Sequence, residues 1–587
     1  MLSTKHTFNK KIMFLGCLVS MFILLIIGRL FYLQIQLTDH LLTRSEKNFL
    51  RKENTVSLRG NIFDAHGKLL ATNRPVITIY WKGTGQRKLT PDQHNTIGDL
   101  QTILEKELLN NELLDTTERL RHKITLAEDI SFEELSRVSE FFVGNPNILI
   151  ESQSTRFYPH KKAASHLLGY LGYLDIDLGG KMGLEKMYEE TLKGKKGKTL
   201  RVINSLGKHL TEEHIEDARA GKDIYTTLDL SLQKLVEQLF PKDHAGSFLL
   251  MDPKDGSIKV FFSYPNFDPN IFLKRLDRET WEGLQKDSKP FLNRILHACY
   301  PPGSIFKLIA LGAALEQENI TEDTITECRG FTTVGRRFQC NKHDGHGNLT
   351  PIESIALSCN VLFYEMSKTL DIDIIAQYAR RFGLGKSTNG LFQDQPGLVP
   401  TRAWKQATKG EHWWLGETLS VSIGQSFLLV TPLQVARMIG GIETGYLAVP
   451  RIVEDTPPTY EPLMINYTTR QFLKKAMLSV VEEGTAKTLK KLEDFTIYAK
   501  TSTAQTSMLS KRRMGEKYKE HGWFAANFKY KDTSPLTMVI LTENTGNAKL
   551  ALLVAKAFLK SYKDLIELRK KRAKKNEPTL RRLVSSE

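Results

Sequence analysis

The segment CYPPGSIFKLIA, residues 299–310, places two prolines and a glycine in front of a serine and a lysine three residues after it. Pro301-Pro302-Gly303 end an extended approach, and the apolar run IFKLIALGAAL that follows Ser304 predicts a buried helix. Ser304 is thus predicted in the first helical turn, where its side chain shares a helix face with Lys307. A lysine desolvated in a pocket can be neutral enough to take a proton from a serine hydroxyl. The pair is therefore a candidate nucleophile and base.

Two other Ser-x-x-Lys pairs occur in the chain, Ser205 with Lys208 and Ser231 with Lys234. Such pairs arise by chance in any long chain. Neither of these two follows a proline-glycine turn and leads into an apolar helical run, so only the Ser304 pair has the surroundings that a nucleophile needs.

The N-terminal residues predict a membrane anchor. Residues 12–28 carry no charge, and the apolar character resumes after Arg29, so residues 12–35 are long enough to span a bilayer. A cleaved signal peptide is the competing interpretation, but no small-x-small cleavage site follows. We expect an uncleaved signal anchor at 12–35. Lys5, Lys10 and Lys11 favour a cytoplasmic tail at 1–11 and place the remainder outside.

The formal net charge of +16 does not indicate nucleic-acid binding. Eight of the positive charges lie between Arg569 and Arg582, in a predicted solvated tail at 563–587, and no groove-reading motif accompanies them. An outward-facing basic protein more plausibly meets anionic lipid or an acidic wall polymer.

The composition and the predicted secondary structure of the chain change near residue 221. Residues 36–220 mix charged helical stretches with glycine-rich turns and show no catalytic constellation, whereas residues 221–562 contain short β runs around a long helical region from 304 to 490. We predict an α+β fold, in which the runs form one five-stranded antiparallel sheet with helices on its faces. The runs are SFLLMD, SIKVFFS, FTIYAKTS, GWFAANF and LTMVILTEN.

Two further motifs follow Ser304 at wide spacing. Ser358-Cys359-Asn360 comes after a helical stretch, and Lys500-Thr501-Ser502-Thr503 closes a β run. Their order resembles that of the penicillin-recognising serine acyltransferases, whose signatures are Ser-x-x-Lys, Ser-x-Asn and Lys-Thr-Gly. These enzymes share a serine β-lactamase-like fold.

The resemblance extends over nearly the whole chain. Residues 59–73, 156–172 and 182–197 are similar to the pedestal segments of class B penicillin-binding proteins, and residues 223–233 and 250–270 to the opening of their transpeptidase domain. GHGNLTPIESIALSCNVLFYEM and LSVSIGQSFLLVTPLQVARMIG most resemble the elongation-type subgroup. The resemblance implies an elongated pedestal at 36–220 and a transpeptidase domain at 221–562.

The implied function is that of a peptidoglycan D,D-transpeptidase, inhibited by β-lactams, which crosslinks stem peptides during wall elongation without a cofactor. Ser304 would attack the penultimate D-Ala carbonyl, with Lys307 as its general base. Ser358 would relay the proton of the leaving group, and Asn360 would hold the peptide amide. A β-lactamase and a catalytically impaired scaffold or β-lactam sensor stay as alternatives.

The resemblance also implies a substrate-binding strand. Lys500 and Thr501 would bind the terminal carboxylate, and the N–H of Thr503 would complete an oxyanion hole with that of Ser304. The family has glycine where this chain has Ser502. A serine that points away from the cleft would change little, whereas one that points inward would slow acylation.

Partners follow from the resemblance alone. Class B enzymes lack a glycan polymerase of their own, so we expect a SEDS-family polymerase and the rod-shape machinery as partners, and lipid-linked and nascent peptidoglycan as substrates. The expected location is the bacterial inner membrane, in a single pass, with the catalytic domain in the periplasm.

Cys328, Cys340, His346 and Cys359 form the pattern C-x11-C-x5-H-x12-C. Three cysteines and one histidine are a ligand set for structural zinc, and elongation-type relatives look able to bind a metal here. A Cys328–Cys340 disulfide is the competing interpretation in an oxidising compartment. His343 is an alternative fourth ligand.

Overall fold

The chain divides into two compact units, Met1–Arg59 with Lys193–Lys222, and Gly60–Leu192 with Asp223–Glu587. The second unit holds every residue that the sequence nominates for chemistry or metal binding. The computed structural model describes residues 3–39, 41–42, 50–55, 57–106, 111–120, 122–174, 177–203, 209–273, 278–285, 289–388, 390, 393–505 and 515–584.

The first unit contains the apolar N-terminal segment. Helix Ser3–Phe31 continues as a π turn at Tyr32–Gln36. Among the residues described, Ile12–Gln36 is the one helical segment long and apolar enough to cross a membrane, at 25 residues. Its extent agrees with the predicted span. The unit also has an antiparallel sheet with Gly197–Ile203 between Leu50–Thr55 and His209–Glu216.

Local sequence explains several helix starts in the second unit. Thr90, Thr350 and Thr431 each accept a hydrogen bond from the N–H three residues on, and each is followed by proline at the first helical position. The helices are Pro91–Leu104, Asn111–Leu120, Phe132–Phe141, Ser165–Leu168, Gly183–Met187, Glu189–Leu192, Leu230–Leu239, Arg278–Gln285, Lys307–Glu316, Pro351–Ala356, Val361–Met366, Ile372–Arg381, Arg402–Lys409, Leu415–Ser422, Pro432–Thr444, Tyr467–Glu482 and Lys549–Val584.

A mixed sheet is built around the long strand Leu69–Lys82. Ile79 and Trp81 of this strand are fully buried in a core of their own, together with Leu100 and Val138. The sheet runs in the order Ile224–Tyr225, Ile62–Phe63, Leu69–Lys82, Lys123–Ala127, and Ile148–Phe157 also pairs with the long strand. The two-stranded pairs are Leu171–Leu174 with Asp177–Gly180, Thr326–Cys328 with Gly347–Leu349, Phe331–Val334 with Arg336–Gln339, and Tyr446–Ala448 with Tyr460–Pro462.

The five β runs predicted after residue 221 form one antiparallel sheet, which confirms the predicted α+β architecture. The turn PKDG joins its first two strands, as expected from its sequence. The strand order is Ile258–Tyr264, Gly246–Met251, Leu536–Thr542, His521–Tyr530 and Phe495–Ala504. Phe495–Ala504 therefore lies at the edge of the sheet, and no strand among the described residues pairs with its outer side.

Helices cover both faces of this sheet. The Asn527 side chain donates a hydrogen bond to the carbonyl of Ile439 in helix Pro432–Thr444, whereas the next residue, Phe528, contacts Phe558 in helix Lys549–Val584. Because successive strand residues point to opposite faces, these two helices lie on opposite sides of the sheet.

Among the described residues, the predicted helical region contains eight α-helices between Lys307 and Glu482. The first, Lys307–Glu316, is buried from Lys307 to Ala314 and packs against helices Ile372–Arg381 and Tyr467–Glu482. The last helix, Lys549–Val584, runs across the expected domain limit at residue 562. The domain boundaries from the sequence stay predictions.

Candidate active site

Ser304 lies in a 3₁₀ turn, Gly303–Ile305, immediately before the buried helix. The sequence predicts Ser304 within the first turn of that helix, but the helix begins at Lys307. The reason is local, because the N–H of Phe306 donates to the carbonyl of Gly303, three residues back. Gly303 has a φ of 53°, and a Cβ there would come within 2.3 Å of the Ser502 hydroxyl. Only glycine fits this close approach.

The Lys307 ammonium is fully buried and is surrounded by oxygen acceptors. It donates to the Ser358 carbonyl at 2.8 Å, to Asn360 Oδ1 at 2.7 Å and, at 3.4 Å, to the Ser358 hydroxyl. Burial lowers the pKa of Lys307 to about 8. Among the described residues, its hydrogen bonds join it to the Ser-x-Asn motif rather than to Ser304.

Lys500 approaches the same hydroxyl from the edge strand. Its ammonium is fully buried, lies 3.1 Å from the Ser358 hydroxyl and donates to the Thr501 carbonyl at 3.1 Å. Burial, and then the charge of Lys307, lower the pKa of Lys500. Ser358 holds its position with a left-handed φ of 57°, an uncommon conformation for a residue other than glycine. Two desolvated lysines thus converge on one serine.

These groups border a cleft of about 950 Å³. Ser304, Ser358, Asn360, Thr501 and Thr503 line it, and the two lysines lie buried beneath. The structure therefore brings together all seven residues predicted for catalysis and substrate binding.

Ser502 makes a contact that glycine cannot make. Its hydroxyl donates to the Pro302 carbonyl at 2.8 Å, and the side chain is buried. Ser502 thereby joins the edge strand to the segment that leads into Ser304. The hydroxyl is directed to Pro301–Ser304, the segment that carries the predicted nucleophile and is called the nucleophile turn below, and Ser502 also borders the cleft.

Cys328, Cys340, His346 and Cys359 also come together, with one donor atom from each within 4.8 Å of the others. The His346 Nδ1 lies 3.5 Å from the Cys328 Sγ and 3.6 Å from the Cys340 Sγ, and the Sγ atoms of Cys340 and Cys359 are 3.8 Å apart. All the cysteines are free thiols, so the competing Cys328–Cys340 disulfide is not formed. The fourth member of this cluster is His346, while His343 lines the cleft.

Comparison with known protein families matches residues 246–562 to the penicillin-binding protein transpeptidase domain. Residues 54–226 match the penicillin-binding protein dimerisation domain. The chain belongs to this family of transpeptidases. The resemblance inferred from the three motifs is thus confirmed, together with the fold that it implies.

Similar proteins cover most of the chain. The peptidoglycan D,D-transpeptidase MrdA of Acinetobacter baumannii is 29% identical, over 94% of this chain and 87% of its own. A penicillin-binding protein, PBP2, solved in complex with MreC from Helicobacter pylori has a TM-score of 0.77 at 28% identity, over 88% of this chain and 99% of its own. A chain of a peptidoglycan synthase complex that coordinates polymerization and crosslinking has a TM-score of 0.70 at 28% identity, over 94% and 98%.

Sequence reasoning missed part of the cleft wall. Arg336 and Arg337 line the cleft from the hairpin that precedes Cys340, and Thr485 lies 2.6 Å from Thr501, hydroxyl to hydroxyl. A signal for the arginines was present, since two adjacent arginines lie between aromatic residues inside the C-x11-C loop. Thr485 carries no comparable signal.

We expect Ser502→Ala to acylate more slowly with a fluorescent penicillin. A buried hydrogen bond of about 1 kcal/mol holds the nucleophile turn beside Thr503, so its loss should slow acylation about fivefold and lower the melting temperature slightly. Stopped-flow labelling and thermal unfolding measure the two effects. Wild-type acylation with a lowered melting temperature would show that the hydroxyl serves stability alone.

Proposed function

We propose that this protein is a peptidoglycan D,D-transpeptidase that works through an acyl-enzyme on Ser304, in wall elongation and as a β-lactam target. The supporting observation is the convergence of two buried lysines on Ser358, between the nucleophile turn and the edge strand. Such burial supplies a lysine that can be neutral near physiological pH. A scaffold that had lost activity would have no need to bury both ammonium groups.

In the proposed acylation, the Ser304 oxygen bonds to the penultimate D-Ala carbonyl carbon while Lys307 accepts the hydroxyl proton. The C–N bond to the terminal D-Ala then breaks, and Ser358 passes a proton to the departing amine. An amine of a second stem attacks the ester, which forms the crosslink and returns the proton to Ser304. Asn360 fixes the Lys307 ammonium and holds the peptide amide.

Substrate orientation is assigned to the edge strand. Lys500 and Thr501 would bind the terminal carboxylate, while the N–H groups of Thr503 and Ser304 would donate to the oxyanion. One such donor is worth about 3 kcal/mol of transition-state stabilisation. Within the described ranges, no strand pairs with the outer side of Phe495–Ala504, which leaves its backbone groups available to a peptide.

The setting of the enzyme is proposed from its relatives. We place residues 1–11 in the cytoplasm, the anchor at 12–35, a pedestal at 36–220 and the transpeptidase domain at 221–562 in the periplasm, followed by a basic tail at 563–587. The solved complex of PBP2 with MreC and the peptidoglycan synthase complex support rod-shape proteins and a SEDS-family polymerase as partners. Lipid-linked and nascent peptidoglycan are the proposed substrates.

We also propose structural zinc in the cluster of Cys328, Cys340, His346 and Cys359. Zinc–sulfur bonds of about 2.3 Å and zinc–nitrogen bonds of about 2.0 Å give tetrahedral S–S and S–N separations of about 3.8 Å and about 3.5 Å. The observed separations of 3.8, 3.5 and 3.6 Å fit that geometry. Four protein ligands leave no position for water, so the metal would be structural and Lys307 remains the base.

Ser304→Ala should abolish covalent labelling by a fluorescent penicillin while the melting temperature stays near that of the wild type, because a partly exposed hydroxyl contributes little to the core. Ser231→Ala is the control, since Ser231 belongs to another Ser-x-x-Lys pair, lies in helix Leu230–Leu239 and does not line the cleft. Stable wild-type labelling supports the transpeptidase. Rapid release of the label would indicate a β-lactamase, and absent labelling a scaffold.

Acylation should accelerate as the pH rises through about 8. The neutral form of Lys307 is the base, and a pKa lowered to about 8 makes that form predominant above this pH. Lys307→Arg should remove the rise together with most of the acylation, since a guanidinium stays charged. Labelling rates between pH 6 and 9.5 measure both. A normal profile in Lys307→Arg would show that another group is the base.

Elemental analysis should find about one zinc per chain in the purified protein. Cys359→Ser should lower the zinc content and the melting temperature and slow acylation, because Cys359 lies between Ser358 and Asn360. Cys299→Ser is the control, since Cys299 is a free thiol outside the cluster. Metal-free wild-type protein of normal stability would refute the site and leave the serine chemistry intact.

A further inference from the structure

The hairpin Phe331–Val334 with Arg336–Gln339 forms part of the cleft wall, and none of the steps above uses it. All four residues of its second strand line the same cleft as Ser304. Arg336 and Arg337 are both exposed there. Two adjacent cations therefore border the space in which the substrate is acylated.

Each guanidinium is stacked on an aromatic ring of the hairpin. Arg336 lies 4.8 Å from the ring centre of Phe338, and Arg337 lies 3.6 Å from that of Phe331. Stacking restricts these long side chains and leaves the N–H groups at the guanidinium edge free to donate.

Within the part of the chain that the structure describes, neither arginine has a carboxylate partner. Arg329 provides the contrast, since it lies in the same loop but donates to Glu327 at 2.8 Å and does not line the cleft. Each guanidinium can bind a carboxylate through two parallel N–H···O bonds. The cleft thus presents guanidinium N–H groups that no carboxylate of the described residues occupies and that can donate to a substrate carboxylate.

The hairpin is held in place relative to the Ser-x-Asn motif. The Gln339 carbonyl accepts hydrogen bonds from the Asn360 side chain at 3.2 Å and from the Tyr364 hydroxyl at 3.3 Å. The N–H of Cys340 donates to the Gly330 carbonyl at 2.8 Å and closes the base of the hairpin. A ligand held by the arginines would therefore keep a defined position relative to the reacting groups.

The charge of the cleft favours an anionic substrate. Among the described residues that line it, Glu520 is the one carboxylate, and that side chain is largely buried. A cleft lined mainly by one sign of charge attracts groups of the opposite sign.

We propose that Arg336 and Arg337 form a subsite for a carboxylate carried by the stem peptide away from its D-Ala terminus. This inference rests on the proposed function and specifies its substrate. The terminal carboxylate stays with Lys500 and Thr501, so the enzyme would grip an acidic stem peptide at two separate points. Stems in which the internal carboxylate is amidated would be poorer donors.

The test uses the full-length protein and two synthetic depsipeptide donors that differ only in an internal side-chain carboxylate or carboxamide. We expect the double variant Arg336→Gln/Arg337→Gln to lose about 10- to 100-fold in kcat/KM for the carboxylate donor, chiefly through KM. The carboxamide donor should change less than about twofold, and the wild-type preference between donors should weaken with salt. Arg329→Gln is the matched control and should keep the preference.

Penicillin labelling separates this inference from the proposed function. Neither arginine takes part in the proposed acylation steps, so the double variant should still be labelled, and its labelling rate at saturating penicillin should equal that of the wild type. An unchanged donor preference in the double variant, or an equal loss for both donors, would overturn the subsite. Failure of the wild-type protein to label would instead overturn the proposed function.

Discussion

The burial of two ammonium groups around the Ser358 hydroxyl is the constraint that organises this molecule. Desolvating a lysine costs several kcal/mol unless oxygen acceptors replace water. Lys307 obtains its acceptors from Ser358 and Asn360, and Lys500 from Ser358 and Thr501. A helix, a loop and an edge strand must therefore meet within hydrogen-bond distance. The five-stranded sheet and its covering helices provide that meeting point.

The cysteine cluster stabilises the least regular of the three elements. Ser358 has a left-handed backbone, and the Ser-x-Asn motif lies between two short helices rather than within one. Cys359, at its centre, is buried against Cys340, whose Sγ also accepts the Asn360 N–H at 3.3 Å. The same cluster fixes the base of the arginine hairpin. The Ser-x-Asn loop and the cleft wall thus meet at this cluster.

Much of the fold could be predicted from the sequence because its signals are local. Each β run has strand composition, and Ser304, Ser358 and Lys500 carry motifs in a recognisable order. The helix start at Lys307 could not be predicted, because a proline-glycine turn signal does not show whether a 3₁₀ turn or an α-helix follows. The direction of the Ser502 hydroxyl could not be predicted either, because its partner, Pro302, is 200 residues away in sequence. Contacts of that kind depend on the tertiary fold.

The turn before Ser304 shows how those distant contacts serve the chemistry. The Trp523 indole donates to the Pro301 carbonyl at 3.1 Å, and the Gly303 N–H donates to the Gly424 carbonyl at 2.9 Å. With the Ser502 bond to Pro302, three consecutive residues are held by three different elements. The proline residues have no N–H groups to donate, so their carbonyls are the attachment points that remain. For the proposed nucleophile, Ser304, such a rigid approach would reduce the freedom lost on reaching the acylation geometry and so lower the entropic part of the barrier.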